Sequence, residues 1–179
     1  VVSYSSPVQV PGTTWKGVHR AGYNNRLTAA IKTDGTLWTW GRNTYWHGGN
    51  PVGSGGQLGL NDKTSRSSPT QVPGTTWKTV YGGGLNMAAT KTDGTLWAWG
   101  RNNDHGELGQ NSLTDTVSPV QIGSGTDWNV AAGGGDVNQF YIKTDGTLWG
   151  VGSNVNGILG QNNTTPANYS SPVQVPGTW

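Results

Sequence analysis

Apolar and polar positions along this chain alternate in short stretches that stop at glycine. Trp77-Lys-Thr-Val-Tyr81 is one such stretch, a short apolar strand that ends in Gly82-Gly83-Gly84. Asn86–Thr92 alternates loosely and runs into Asp93-Gly94, and an Asp-Gly pair between two β-prone runs signals a tight hairpin. Thr95–Trp99 forms the return strand and stops at Gly100. After a polar loop, Pro119–Ile122 supplies a fourth strand, with proline expected at its first position, where the ladder needs no donor.

The same order recurs along the chain. Lys-Thr-Asp-Gly-Thr-Leu-Trp occurs three times, at Lys32–Trp38, Lys91–Trp97 and Lys143–Trp149. Ser-Pro-Val/Thr-Gln-Val/Ile begins at Ser6, Ser68, Ser118 and Ser171, and Gly-x-Leu-Gly at Gly56, Gly106 and Gly157. Pro7, Pro69, Pro119 and Pro172 are 62, 50 and 53 residues apart, so the unit is just over 50 residues with a longer first copy. Four short antiparallel strands per unit make one β-propeller blade, and the predicted fold is all-β with three complete blades. The expected repeats are 15–76, 77–127 and 128–178, with 1–14 the last strand of a preceding blade, and residues 1–179 form a single partial propeller. Propellers close with about four to eight blades. The chain, which opens on Val1, is therefore expected to be a segment of a larger ring or to complete one with other chains.

The order Gly-Gly, Ala-x-Lys-Thr-Asp-Gly-Thr-Leu-Trp-Ala-Trp-Gly-Arg-Asn, Gly-x-Leu-Gly, Ser-Pro-Val-Gln-Val resembles the regulator of chromosome condensation repeat over essentially the whole chain. The resemblance implies a seven-bladed ring, inside the range of about four to eight at which propellers close. Two departures stand out. The family often carries His shortly before the Asp-Gly hairpin, where this chain has Asn24, Asn25, Asn86 and Asn138. The third copy has Trp149-Gly-Val-Gly152 where the others have Trp-x-Trp-Gly.

Composition adjusts this picture. Hydrophobic residues make up 32% of the chain and charged ones 11%, against a usual charged share of about 25%. Such a chain risks disorder, because little apolar burial cannot offset its ordering entropy. Its 10 tryptophans answer that, since each ring buries on the order of 150–250 Å². With a net charge of +2 and 11 basic residues scattered singly, nucleic acid is not an expected partner. No apolar run approaches the roughly 20 residues of a membrane span, so membrane insertion is not expected either. The absence of cysteine removes disulfides and thiolate metal sites.

Most conspicuous residues have a structural explanation. Trp38, Trp97 and Trp149, with Trp40 and Trp99, are expected to fill the gaps between blades. Asp34, Asp93 and Asp145 are expected to serve the turns, and Lys32, Lys91 and Lys143 to be solvated beside them. Asp104, His105 and Glu107 form a weak metal-like cluster, because the other copies carry Gln57 and Ile158 instead. No catalytic constellation, metal site or cofactor is predicted. The insertion of the first copy, between Asn43 and Gly56, is the feature the repeat does not explain. Extra residues in a repeat map to a loop on one face, and Tyr45, Trp46, His47 and Asn50 are its candidate binding residues.

The expected function is a non-enzymatic structural or interaction module that binds a protein partner, other copies or the remainder of the same chain. The near-identical copies look like those of bacterial and phage proteins, which implies a virion or extracellular cell-surface location. Glycan binding through the first-copy insertion is the alternative. A nucleotide-exchange role, which the founding family member implies, is a third.

Overall fold

The structure, a computed structural model, describes residues 5–21, 26–47, 50–102 and 105–177, without the side chains of 20, 45–47 and 50–54. In the first blade β1 (Trp15–Ala21), β2 (Leu27–Lys32), β3 (Leu37–Gly41) and β6 (Arg66–Gln71) pair antiparallel in that order. The second consists of β7 (Trp77–Gly82), β8 (Asn86–Lys91), β9 (Leu96–Gly100) and β10 (Thr116–Gln121). The third consists of β11 (Trp128–Gly134), β12 (Asn138–Lys143), β13 (Leu148–Ser153) and β14 (Asn168–Gln174). Between the third and fourth strands of the first blade, β4 (Thr44–His47) and β5 (Asn50–Gly55) form a separate hairpin. Ser6–Val10 carries a fourth-strand sequence but is not a strand here, and Val8 and Val10 are exposed.

The hairpin turns differ in one respect from the tight Asp-Gly type that takes positive φ at both central residues. Positive φ falls on Gly35, Gly94 and Gly146, at 79°, 80° and 85°, and not on the preceding aspartates. The fourth strands differ from expectation. Pro69, Pro119 and Pro172 lie inside β6, β10 and β14, within the register breaks of these outermost strands. A residue without an N–H is tolerated there because the ladder is already interrupted.

Blades pack face to face through two apolar seams. Leu27, Ala29, Ile31, Leu37, Leu58 and Val72 of the first blade meet Trp77, Val80, Met87, Ala89 and Trp99 of the second. From the opposite face of the second blade, Ala88, Leu96, Ala98, Leu108 and Ile122 meet Trp128, Ala131, Tyr141 and Val151 of the third. The alternation of each strand thus serves both neighbours, since successive side chains point to opposite faces. Trp99 is fully buried in the first seam, and its indole N–H donates to the Gln57 carbonyl at 3.1 Å. It approaches Gly59 so closely that a Cβ there would lie 2.7 Å from Nε1. In the second seam Val151 takes this position, so Gly-Val replaces Ala-Trp without leaving the seam empty.

Candidate functional site

The repeated string builds the same unit three times. The Asp34, Asp93 and Asp145 carboxylates accept from the Thr36, Thr95 and Thr147 amides at 2.9, 3.0 and 2.9 Å. They also accept from the same threonine hydroxyls at 2.7 Å. Each hydroxyl in turn accepts the indole N–H of Trp38, Trp97 or Trp149 at 2.8 Å. The Thr36 and Thr147 amides, and in the middle blade first the Thr95 hydroxyl, hold the three carboxyls below the usual range. These aspartates orient tryptophans and are occupied in doing so.

The lysines are not solvated as expected. Lys32 lies 4.9 and 4.2 Å from the ring centroids of Trp15 and Trp38, and Lys91 lies 4.7 and 4.1 Å from those of Trp77 and Trp97. Lys143 repeats the contact at 4.9 and 4.4 Å from Trp128 and Trp149. All three ammonium groups are half-buried against aromatic faces, a contact worth about 0.5–1 kcal/mol each. Trp38, Trp97 and Trp149 are correspondingly half-buried; Trp97 and Trp149 pack against the margins of the two seams, whereas Trp99 lies wholly inside one.

The first-copy insertion is a β-hairpin rather than a loop. Thr44 pairs with Gly55, Trp46 with Pro51 and His47 with Asn50. The candidate residues Tyr45, Trp46, His47 and Asn50 therefore share one two-stranded element, while their side chains lie outside the described residues. At its base Asn43, fully buried, is an anchor. Its amide nitrogen donates to the Asp62 and Thr64 carbonyls at 2.9 and 3.3 Å, and its oxygen accepts from the Leu58 N–H at 2.8 Å. Asn102 does the same with Ser112, Thr114 and Leu108, and Asn154 with Asn163 and Leu159. Sequence reasoning missed these asparagines, although each follows the third strand in its copy.

Of the metal-like cluster, Asp104 lies outside the described residues. His105 faces away to Asn168, its Nδ1 3.0 Å from Oδ1. Glu107 is buried, neither carboxylate oxygen has a hydrogen-bond partner among the described residues, and burial pushes its carboxyl up.

Comparison with known proteins fits this geometry. The family model described as Regulator of chromosome condensation (RCC1) repeat matches residues 93–137, which run from the Asp93 turn through β9, β10 and β11. The repeat is of the regulator of chromosome condensation type. The chain is 29% identical over 154 residues to the probable E3 ubiquitin-protein ligase HERC4 of Mus musculus, covering 83% of this chain and 13% of that protein. Human WBSCR16 superposes with a TM-score of 0.73 at 20% identity, over 90% of this chain and 38% of that one. Yeast RCC1 (Prp20), solved bound to Kap60, gives a TM-score of 0.69 at 18% identity, over 86% of this chain and 34% of that one. The chain thus spans well under half the length of each protein, and it shares with the solved structures their propeller fold.

Proposed function

We propose that the chain is a non-enzymatic protein-interaction module, with the blades as scaffold and the β4–β5 hairpin as a contact element. The observation that carries this reading is the hairpin itself. The three copies share their turns, seams and asparagine anchors, and the first adds a two-stranded element with Tyr45, Trp46, His47 and Asn50 on it. Tyr and Trp side chains, large and with few rotatable bonds, suit a contact hot spot at low entropic cost. Support also comes from yeast RCC1 (Prp20), which is solved with Kap60 bound. The ligase activity in the name of HERC4 is not transferred, since the match takes in 13% of that protein. The near-identical copies favour a component of a virion or bacterial cell surface.

A photoreactive phenylalanine analogue at position 46 tests the reading in particles or cells that carry the protein. The expected result is a cross-link to one defined protein, absent when the analogue is placed at exposed Leu113 instead. A cross-link to carbohydrate alone would replace this reading with glycan binding.

A further inference from the structure

The first strands β1, β7 and β11 lie next to one another, so the three blades converge along that edge. Each is bulged at its second residue, with register slips between Trp15 and Gly17, Trp77 and Thr79, and Trp128 and Val130. A bulge leaves one residue outside the ladder and re-aims its side chain. The three residues so placed are Lys16, Lys78 and Asn129.

The two seams end differently at this edge. Between the second and third blades, the Thr79 and Thr90 hydroxyls are bonded at 2.7 Å, and Thr79 accepts the Ala131 N–H at 3.3 Å. Lys78 reaches across to Asn129 Oδ1 at 2.7 Å. In the first blade the pair equivalent to Thr79 and Thr90 is Gly17 and Ile31. A Cβ on Gly17 would meet nothing within 4 Å. The end of the seam between the first and second blades is therefore left open as part of a cleft of about 240 Å³, which runs on to Val130 and Ala131 of β11, with Ile31 and Val80 as apolar lining and Lys16, His19 and Lys78 around it. Among the described residues, none that lines it is a carboxylate.

We propose that this cleft binds an acidic peptide segment of a protein partner, with a carboxylate between Lys16 and Lys78 and an adjoining apolar side chain against Ile31 and Val80. The proposal rests on the reading of the chain as a protein-interaction module and gives that reading a second, chemically defined contact. The cleft is below the roughly 300–1,000 Å³ of a small-molecule pocket and suits one or two side chains. Its two lysines and one histidine are too few to track a polynucleotide backbone, which takes a continuous basic groove.

Fluorescence anisotropy with a labelled, alternating Asp-Leu hexapeptide tests the assignment on the whole chain, beside an Asn-Leu peptide and an oligothymidylate. The Asp-Leu peptide is expected to bind saturably, and the Asn-Leu peptide and the oligonucleotide at least tenfold more weakly. Gly17→Thr, which installs the residue found at the closed seam, is expected to weaken binding at least tenfold. The double variant Lys16→Gln, Lys78→Gln, which changes two exposed side chains and gives up the exposed Lys78–Asn129 bond, is expected to do the same and decides the matter if Gly17→Thr melts early. Equal binding by wild type and the double variant, or preference for the oligonucleotide, would overturn the proposal. A cross-link from position 46 to a protein without binding of the Asp-Leu peptide would remove the cleft assignment and leave the interaction reading standing; loss of both would remove both.

Discussion

Each blade puts a different residue at one position of the Gly-x-Leu-Gly turn, Gln57, Glu107 and Ile158. The first two are buried against the next blade, and Ile158 is exposed on the outer face of the third. Glu107 is the unusual one, because its carboxylate enters a seam where desolvation outweighs what the backbone of Glu107 and His105 returns to it. Burial raises its carboxyl above the ordinary value. A group raised on folding contributes stability that is whole below its unfolded pKa and is lost as pH rises through the folded one. At neutral pH, well above its ordinary value, the buried carboxyl therefore works against the fold. Glu107→Gln, which copies Gln57, is expected to stabilise the chain by about 1–3 kcal/mol at pH 7. The gain should shrink toward about pH 4, where the wild-type side chain is already protonated. Denaturant melts at the two pH values check this, and an equal gain at both would show that charge is not the cause.

At the scale of elements, the hairpin β4–β5 is an addition to a complete four-stranded sheet. Exchanging residues 44–55 for Asn-Asp-His, the connection that the second copy has between Asn102 and Gly106, is expected to change stability by no more than about 0.5 kcal/mol. A loss of several kcal/mol in thermal melts would make the hairpin part of the core. Much of the element layout was legible before any coordinates. The Asp-Gly turns and Trp-x-Trp-Gly strands announce themselves through residues whose local preference and tertiary role agree. What escaped depends on contacts between distant residues. That Lys91 lies between Trp77 and Trp97 requires knowing that the ends of β7, β8 and β9 meet. The prolines were placed at strand starts because a missing donor suggests an end, whereas the sheets accommodate them at bulges. The insertion was expected as a loop because extra residues in a repeat map to one, and its polar, glycine-rich sequence leaves little pattern from which strand pairing could be read. The hydrogen-bond accounting of Asn43, Asn102 and Asn154 likewise appears only when the loops they tie are in place.

For the whole molecule, stability resides in the seams as much as in the sheets. The second blade is covered on both faces, and removing its Trp99 would empty a site of the kind that costs about 3–5 kcal/mol. The first and third blades are covered on one face. Val18 is 59% exposed where its equivalent Val80 is 1% exposed, and Ile158 is 54% exposed where Glu107 is 1% exposed. Amide exchange should follow this gradient, since opening energy rises with buried contact. Hydrogen–deuterium exchange read strand by strand is the most direct test of the three-blade arrangement. The slowest amides are expected in β8 and β9, followed by β2, β3, β12 and β13, with the outer strands β6, β10 and β14 fastest. Slow exchange confined to one repeat, or β8 and β9 exchanging as fast as the outer strands, would contradict three blades joined by two packed seams.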